Sequence, residues 1–279
     1  MSQPLFSLLV AQYNNGKYFK ECYDSIIAQS YTNWEVVIVD DCSTDDSVAV
    51  MKDIIGSDKR FKLSINSQNE GCGYTKRRCA ERATGELIAF LDPDDAITED
   101  ALQVMVLQHS MHADAAAIYS KLYFCDEHLN IQYAISSEQI ENGLADFFDL
   151  DGKMHHFFSF KKLFYDKTVG ISSYLKRAVD KDMVLKLYEA GPCIFTDIVL
   201  YKYRIHDNGI STRQNEEKAY FWYWVAIIDA ARRRNINIES LYVEKALISR
   251  RDMALQNEID GYNRSYIFKA LRKVGLFRI

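Results

Sequence analysis

The sequence predicts an α/β fold: a mostly parallel sheet flanked by helices, followed by a helical C-terminal extension. Three observations predict it. Apolar runs such as "LFSLLVA", "VVIV" and "LIAFL" show no polar alternation, as expected of strands buried on both faces. Segments of helical spacing separate those runs, an order that belongs to parallel sheets. Each run also ends in polar residues, namely Tyr13-Asn14, Asp40-Asp41, Asn66 to Gly73 and Asp92 to Asp95. Ligands of such sheets sit beyond the carboxyl ends of the strands, so the clusters are expected to form one site.

The elements follow in order. Leu5 to Ala11 reads as a strand, closed by the turn residues Tyr13-Asn14-Asn15-Gly16. Lys17 to Gln29 places Phe19, Cys22, Tyr23, Ile26 and Ile27 at helical spacing. Trp34 to Val39 is β-branched and ends at Asp40-Asp41, after which Ser43-Thr44-Asp45-Asp46 offers an N-cap for a helix through Ile55. Phe61 to Ile65 is a third strand. Tyr74 to Ala83 is a helix stopped by Thr84-Gly85, and Glu86 to Leu91 is a fourth strand. Beyond residue 110 the alternation loosens. Ala115 to Cys125 and Ile194 to Arg204 read as strands, Glu138 to Leu150 as helix and loop, and Lys181 to Glu189 as a helix closed by Gly191-Pro192. His155 to Phe164 fits neither period, while Glu216 onward is helical and rich in aromatics.

Composition narrows the function. A chain of 279 residues with 48% hydrophobic and 26% charged residues can bury one large core. The net charge of -5 gives no footprint for nucleic-acid binding. Six scattered cysteines without a C-x-x-C pair argue against structural zinc and for reduced thiols. No apolar window is long enough to span a bilayer, and the start lacks a basic n-region, so a cytoplasmic location is expected.

The stretch "FLDPDDAITED" brings Asp92, Asp94 and Asp95 together at a strand end. Crowded carboxylates repel one another unless a cation joins them, and oxygen ligands suit Mg²⁺ or Mn²⁺ better than zinc. Pro93 fixes its own φ and biases Asp92 towards an extended conformation, setting the separation of the acids. An Asp-rich turn capping the next helix is the structural alternative. No G-x-G-x-x-G or G-x-x-x-x-G-K-[ST] follows the first strand, which excludes a Rossmann dinucleotide site and a P-loop.

"SLLVAQYNNGKYFKECYDSIIAQSYTNWEVVIVDDCSTDDS" and "NEGCGYTKRRCAERATGELIAFLDPDD" together resemble family 2 glycosyltransferases of the GT-A (Rossmann-like) fold. "AVDKDMVLKL" and "YKYRIHDNGIS" are similar to that family's later segments, so the resemblance covers roughly residues 5 to 211. It implies a catalytic domain over 1–212, with a nucleotide-binding half (1–110) and an acceptor-side half (111–212), and a helical extension over 213–279.

The resemblance also implies roles. Asp41 faces the base of a nucleotide-sugar, UDP-linked by expectation, with Tyr13 stacking near it. Lys76 lies near the phosphates. Asp92 and Asp94 contact the donor, and Asp94, Asp95 and His206 surround a Mn²⁺ or Mg²⁺ ion. Asp180 is the general base of an inverting transfer to a glycan or lipid-linked acceptor, with Asp182 as second choice. The chain departs from the family pattern at Val179, where a Glu is usual, at Lys76-Arg77, and at "GISS" (Gly170 to Ser173). A non-catalytic nucleotide-sugar-binding subunit would retain the donor site without the base. A nucleotidyltransferase would need a basic phosphate signature near the N-terminus, where only Lys17 stands. The segment 263–279 carries five Lys and Arg residues and no acid, with apolar residues at helical spacing. It suits peripheral contact with the inner face of a membrane or packing on the domain.

Overall fold

The computed structural model describes residues 3–206, 215–248, 252, 255, 258–261, 264 and 265. The chain divides into two compact units, Met1–Ala230 and Ala231–Ile279.

In the first unit, β1 (Phe6–Gln12), β2 (Trp34–Asp40), β3 (Phe61–Ile65) and β4 (Leu87–Phe90) run parallel in the order β3-β2-β1-β4. They alternate with α1 (Phe19–Ile27), α2 (Ser47–Ile55) and α3 (Cys72–Arg82). Leu8, Val10, Val36 and Ile38 pack with Phe19, Cys22, Ile26 and Met51 on one face of the sheet. Leu9, Val37 and Val39 pack with Cys79, Ala80 and Ala83 on the other. Successive side chains of a strand point to opposite faces, so a sheet covered twice requires the unbroken apolar runs. The register pairs Gln12 with Asp40 and Asp40 with Ile65. The polar segments that follow these strands therefore leave the sheet along one edge.

Beyond β4 the sheet becomes mixed. β8 (Phe158–Lys161) lies antiparallel between β4 and β6 (Ala117–Cys125). β9 (Cys193–Arg204) runs parallel to β6, and the two-residue β5 (Ala96–Ile97) pairs antiparallel with β9. β7 (Ile131–Ile135) folds back on β6, giving nine strands in one sheet. α4 (Ala101–Met111), α5 (Lys162–Tyr165) and α6 (Val179–Ala190) complete this half.

Expectation and structure part in the second half. Glu138 to Leu150, expected as helix and loop, contains no helix. Its amides serve β9 instead: Gln139 Oε1 accepts from Phe195 N (2.8 Å) and Asn142 Oδ1 from Cys193 N (2.8 Å). These side chains act as a substitute strand for the start of β9, which outweighs weak local helix propensity. The unassigned stretch His155 to Phe164 resolves into β8 and the start of the short α5. All six cysteines are free thiols.

The first unit ends within α7 (Glu216–Arg233), where Trp224, Ala226, Ile227 and Ala230 are buried. The described part of the second unit contains α8 (Glu239–Tyr242) and a π-helical turn at Val243–Ile248. No described helix is long and apolar enough to cross a membrane. Apart from Arg264 and Ser265, the basic segment 263–279 lies outside the described residues.

Candidate active site

The ends of β1 and β2 are stitched together by their own polar side chains. Asn14, at a left-handed φ of 51°, donates its backbone N–H to Ser43 Oγ (2.9 Å), and its Oδ1 accepts from Thr44 N (2.8 Å). Gly16 N donates to Ser47 Oγ (2.8 Å). A Cβ on Gly16 would stand 2.5 Å from Ser47 Cα, so only glycine permits this approach. Asp40 accepts from the Ser43 backbone N–H (2.8 Å) and hydroxyl (2.5 Å). Buried Asp41 accepts from Asn66 Nδ2 (2.8 Å), Glu70 N (2.9 Å) and Gly71 N (2.8 Å), pinning the loop after β3. Tyr13, with 44% of its surface exposed, stands at the rim.

The acids after β4 diverge. Asp95 N donates to Asp92 O (3.0 Å), which closes a turn with Pro93 at its second position, where a fixed φ is favourable. Asp92 Oδ1 faces Lys76 Nζ at 3.2 Å. Asp94 Oδ2 lies 2.8 Å from His206 Nε2. Asp95 turns inward, accepting from the Tyr201 hydroxyl (2.7 Å) and Arg204 N (2.7 Å). Arg204 Nε also donates to Asp94 O (2.5 Å), so β9 clamps the turn to the sheet. His206 is backed by the Tyr18 ring at 4.8 Å.

α6 brings the opposite wall. Ala178 takes a left-handed φ of 55° immediately before the helix begins. This sparsely populated backbone aims the first turn, with Asp180, at the cavity, and the positive end of the helix favours a carboxylate there. Lys76 Nζ reaches Asp180 Oδ1 at 2.8 Å and thereby bridges Asp180 and Asp92. Asp182, the second-choice base, is fully buried, accepts from Ser172 N (2.9 Å) and Lys186 Nζ (2.7 Å), and does not line the cavity. This pair holds the "GISS" segment against α6.

The charges set the electrostatics. Burial alone would lower the Lys76 pKa, but Asp180 and Asp92 outweigh it and hold the ammonium well above its ordinary value. Burial alone would raise Asp180, but Lys76 and then His156 hold it well below the usual carboxylate range. Burial, reinforced by Asp94 and Asp92, pushes Asp95 well above that range, against the hydrogen bonds from Arg204 and Tyr201.

These groups line one cavity of about 780 Å³, within the roughly 300–1,000 Å³ typical of small-molecule sites. Its wall includes Tyr13, Asp41, Lys76, Asp92, Asp94, Asp95, Asp180 and His206. All eight residues singled out in the sequence therefore meet in one place. His156, Lys176, Arg177, Tyr203 and Arg204 also line it and carried no role in the sequence reading. Arg204 was findable, because it sits inside the "YRIH" segment; His156 and Lys176 belong to no motif.

Among the described residues, no three His, Cys, Asp or Glu side chains converge as a ready cation cage. Asp94 and His206, side by side on the cavity wall, are the residues that would hold a divalent ion. Their atoms now contact each other at 2.8 Å, and a carboxylate oxygen is a ligand that Mg²⁺ or Mn²⁺ favours. Both oxygens of Asp95 already accept protein hydrogen bonds.

Residues 7–172 match the sequence profile of Glycosyl transferase family 2. Chondroitin synthase of Escherichia coli is 29% identical over 76% of this chain, which spans only 30% of that protein. EpsH of Bacillus subtilis is 26% identical over 99% of this chain and 83% of its own length. Among solved structures, S. aureus TarS 1–349 in complex with UDP-GlcNAc superposes with a TM-score of 0.64, at 22% identity, over 80% of this chain and 66% of that one. The mannosyltransferase PcManGT of Pyrobaculum calidifontis, in complex with GDP-Man and Mn²⁺, gives 0.66 at 16% identity over 99% and 80%. At such identities the structural likeness shows the GT-A fold. With the profile matching more than half of its length, the chain belongs to glycosyl transferase family 2.

Proposed function

We propose that this chain transfers a sugar, with inversion, from a nucleoside-diphosphate donor to a hydroxyl of a glycan or lipid-linked saccharide. One observation carries the reading: Lys76 stands between Asp92 and Asp180, on opposite walls of the cavity. Inverting transfer needs a leaving-group side and a base on the opposite face of the anomeric carbon. A cation shared by an acid after β4 and an acid of α6 supports a diphosphate and an acceptor meeting beside it.

Each side chain then has a task. Tyr13 offers an exposed ring for the base, and Asp41 shapes the loop beside it. Lys76 pairs with the diphosphate. Asp94 and His206 would hold a divalent cation, which when bound would neutralise charge building on the leaving diphosphate. Asp95 and Arg204 keep the turn in place. Asp180 accepts the acceptor proton. While Lys76 sits on it, the Asp180 carboxylate is ionised but a poor base. A diphosphate that draws Lys76 away strengthens it, so donor binding prepares the base. The mannosyltransferase neighbour was solved with Mn²⁺, and the neighbours carry UDP- and GDP-linked sugars, which supports a nucleotide-sugar donor here.

A thermal-shift panel of nucleotide-sugars with and without Mn²⁺ tests the reading. A donor raises the melting temperature by mass action, and the rise is expected to be larger with the metal. No stabilisation by any nucleotide-sugar would refute it.

A further inference from the structure

His156 has no place in the reading so far, yet it faces the base. Its ring stacks on Tyr201 at 5.1 Å and 24°, and the Tyr201 hydroxyl is itself anchored on Asp95. Nε2 lies 3.7 Å from Asp180 Oδ2, while the other oxygen, Oδ1, is held by Lys76 at 2.8 Å. Nδ1 is buried and has no hydrogen-bond partner among the described residues. A proton on Nδ1 would be an unsatisfied buried donor, whereas one on Nε2 points at a carboxylate. Nε2–H is therefore the donor that His156 presents towards Asp180.

The 3.7 Å gap is too long for a hydrogen bond, so neither group satisfies the other. An atom beside the line joining them, on the cavity side, can contact both. A hydroxyl oxygen fits about 2.8 Å from both, as required of an acceptor whose proton Asp180 takes. Both groups line the cavity, and the Asp180 side chain is 40% exposed.

We propose that His156 is the residue that positions the acceptor hydroxyl, donating from Nε2–H to the oxygen that Asp180 deprotonates. The inference rests on Asp180 being the base. In the step, the acceptor proton moves to Asp180 Oδ2 and one oxygen lone pair bonds the anomeric carbon. The bond from that carbon to the diphosphate oxygen breaks, and its electron pair leaves with the diphosphate. His156 keeps its proton throughout and holds the second lone pair, so the oxygen is turned towards the anomeric carbon. Water occupying the same point would undergo the same step, so donor hydrolysis reports on it without a known acceptor.

The test compares wild type, His156→Gln, His156→Phe and Asp180→Asn. Each is incubated with Mn²⁺ and a panel of UDP-, GDP- and dTDP-sugars, and both thermal shift and nucleoside-diphosphate release are recorded. Phe keeps a ring on Tyr201 without a donor, whereas Gln keeps an N–H at similar reach. Donor-induced shifts equal to wild type are expected in both His156 variants, and one at least as large in Asp180→Asn, where Lys76 is freed for the diphosphate. Release is expected to fall at least tenfold in His156→Phe and to recover in large part in His156→Gln. Wild-type release by His156→Phe, or equal losses in Phe and Gln, would overturn the role of His156. Undiminished release by Asp180→Asn would overturn the base assignment and the inference with it. Absence of any shift in wild type would overturn the donor reading itself.

Discussion

The two ends of the cavity use acids in opposite ways. At the end formed by β1, β2 and the loop after β3, Asp40 and Asp41 accept from backbone N–H groups, the Ser43 hydroxyl and the Asn66 amide. Those donors cannot leave, so the acids act as rivets. At the end formed by the turn after β4, α6 and β9, Asp92, Asp94 and Asp180 face the side chains of Lys76 and His206. Such partners can exchange to a diphosphate or a metal. A carboxylate held by backbone shapes a pocket, and one held by another side chain can take part in turnover.

Substitutions on each side break or sharpen this contrast. The largest effect is expected from Asp180→Asn, which should lower transfer by about 10²–10⁴-fold while leaving the donor thermal shift intact. At the riveted end, Asp41→Ala strands two backbone N–H groups and the Asn66 amide. The expected cost is about 3–4 kcal/mol in urea unfolding, with donor affinity lost as a consequence. A stable Asp41→Ala protein would show that this end is also exchangeable.

Glu35, outside the cavity, is a control for a purely structural acid. Burial would raise its pKa, but Lys62 and the hydrogen bonds from Ser7 and Thr84 outweigh it and lower the value from 4.5 to about 2. With the folded pKa depressed, its stabilisation is complete above pH 4.5 and disappears as pH falls towards 2. Glu35→Gln should therefore cost no more than about 3 kcal/mol near neutrality, with the gap from wild type closing over that window. Activity per folded molecule should not change. The smallest effect is expected from Asp94→Ala. Isothermal titration should show roughly tenfold weaker UDP binding with Mn²⁺, and EDTA should bring wild type to the same level. Equal Mn²⁺-supported affinity in the variant would remove Asp94 from the metal.

Legibility followed the same division. β1, β2 and β4 were readable because each is buried on both faces, and this forces continuous apolar residues within a few positions; β3, largely part-exposed, was readable from its short alternation. β7 was missed because its residues are largely exposed, and β5 because a two-residue strand has no period to read. β8 follows an irregular segment and depends on β4 and β6 for its partners, which local sequence does not record.

For the site, the residue types and their order along the chain were determined by the sequence alone. An acid after a strand, a Pro within an Asp cluster and a His two residues after an Arg are local choices. Tertiary structure decided which acid meets which partner. It buried Asp95 under Tyr201 and Arg204, set Asp94 against His206, and carried Lys76 to a partner 104 positions away. It also placed His156 opposite Asp180. Those pairings depend on long-range approach and on the charge that burial leaves unscreened, and neither quantity exists until the chain has folded.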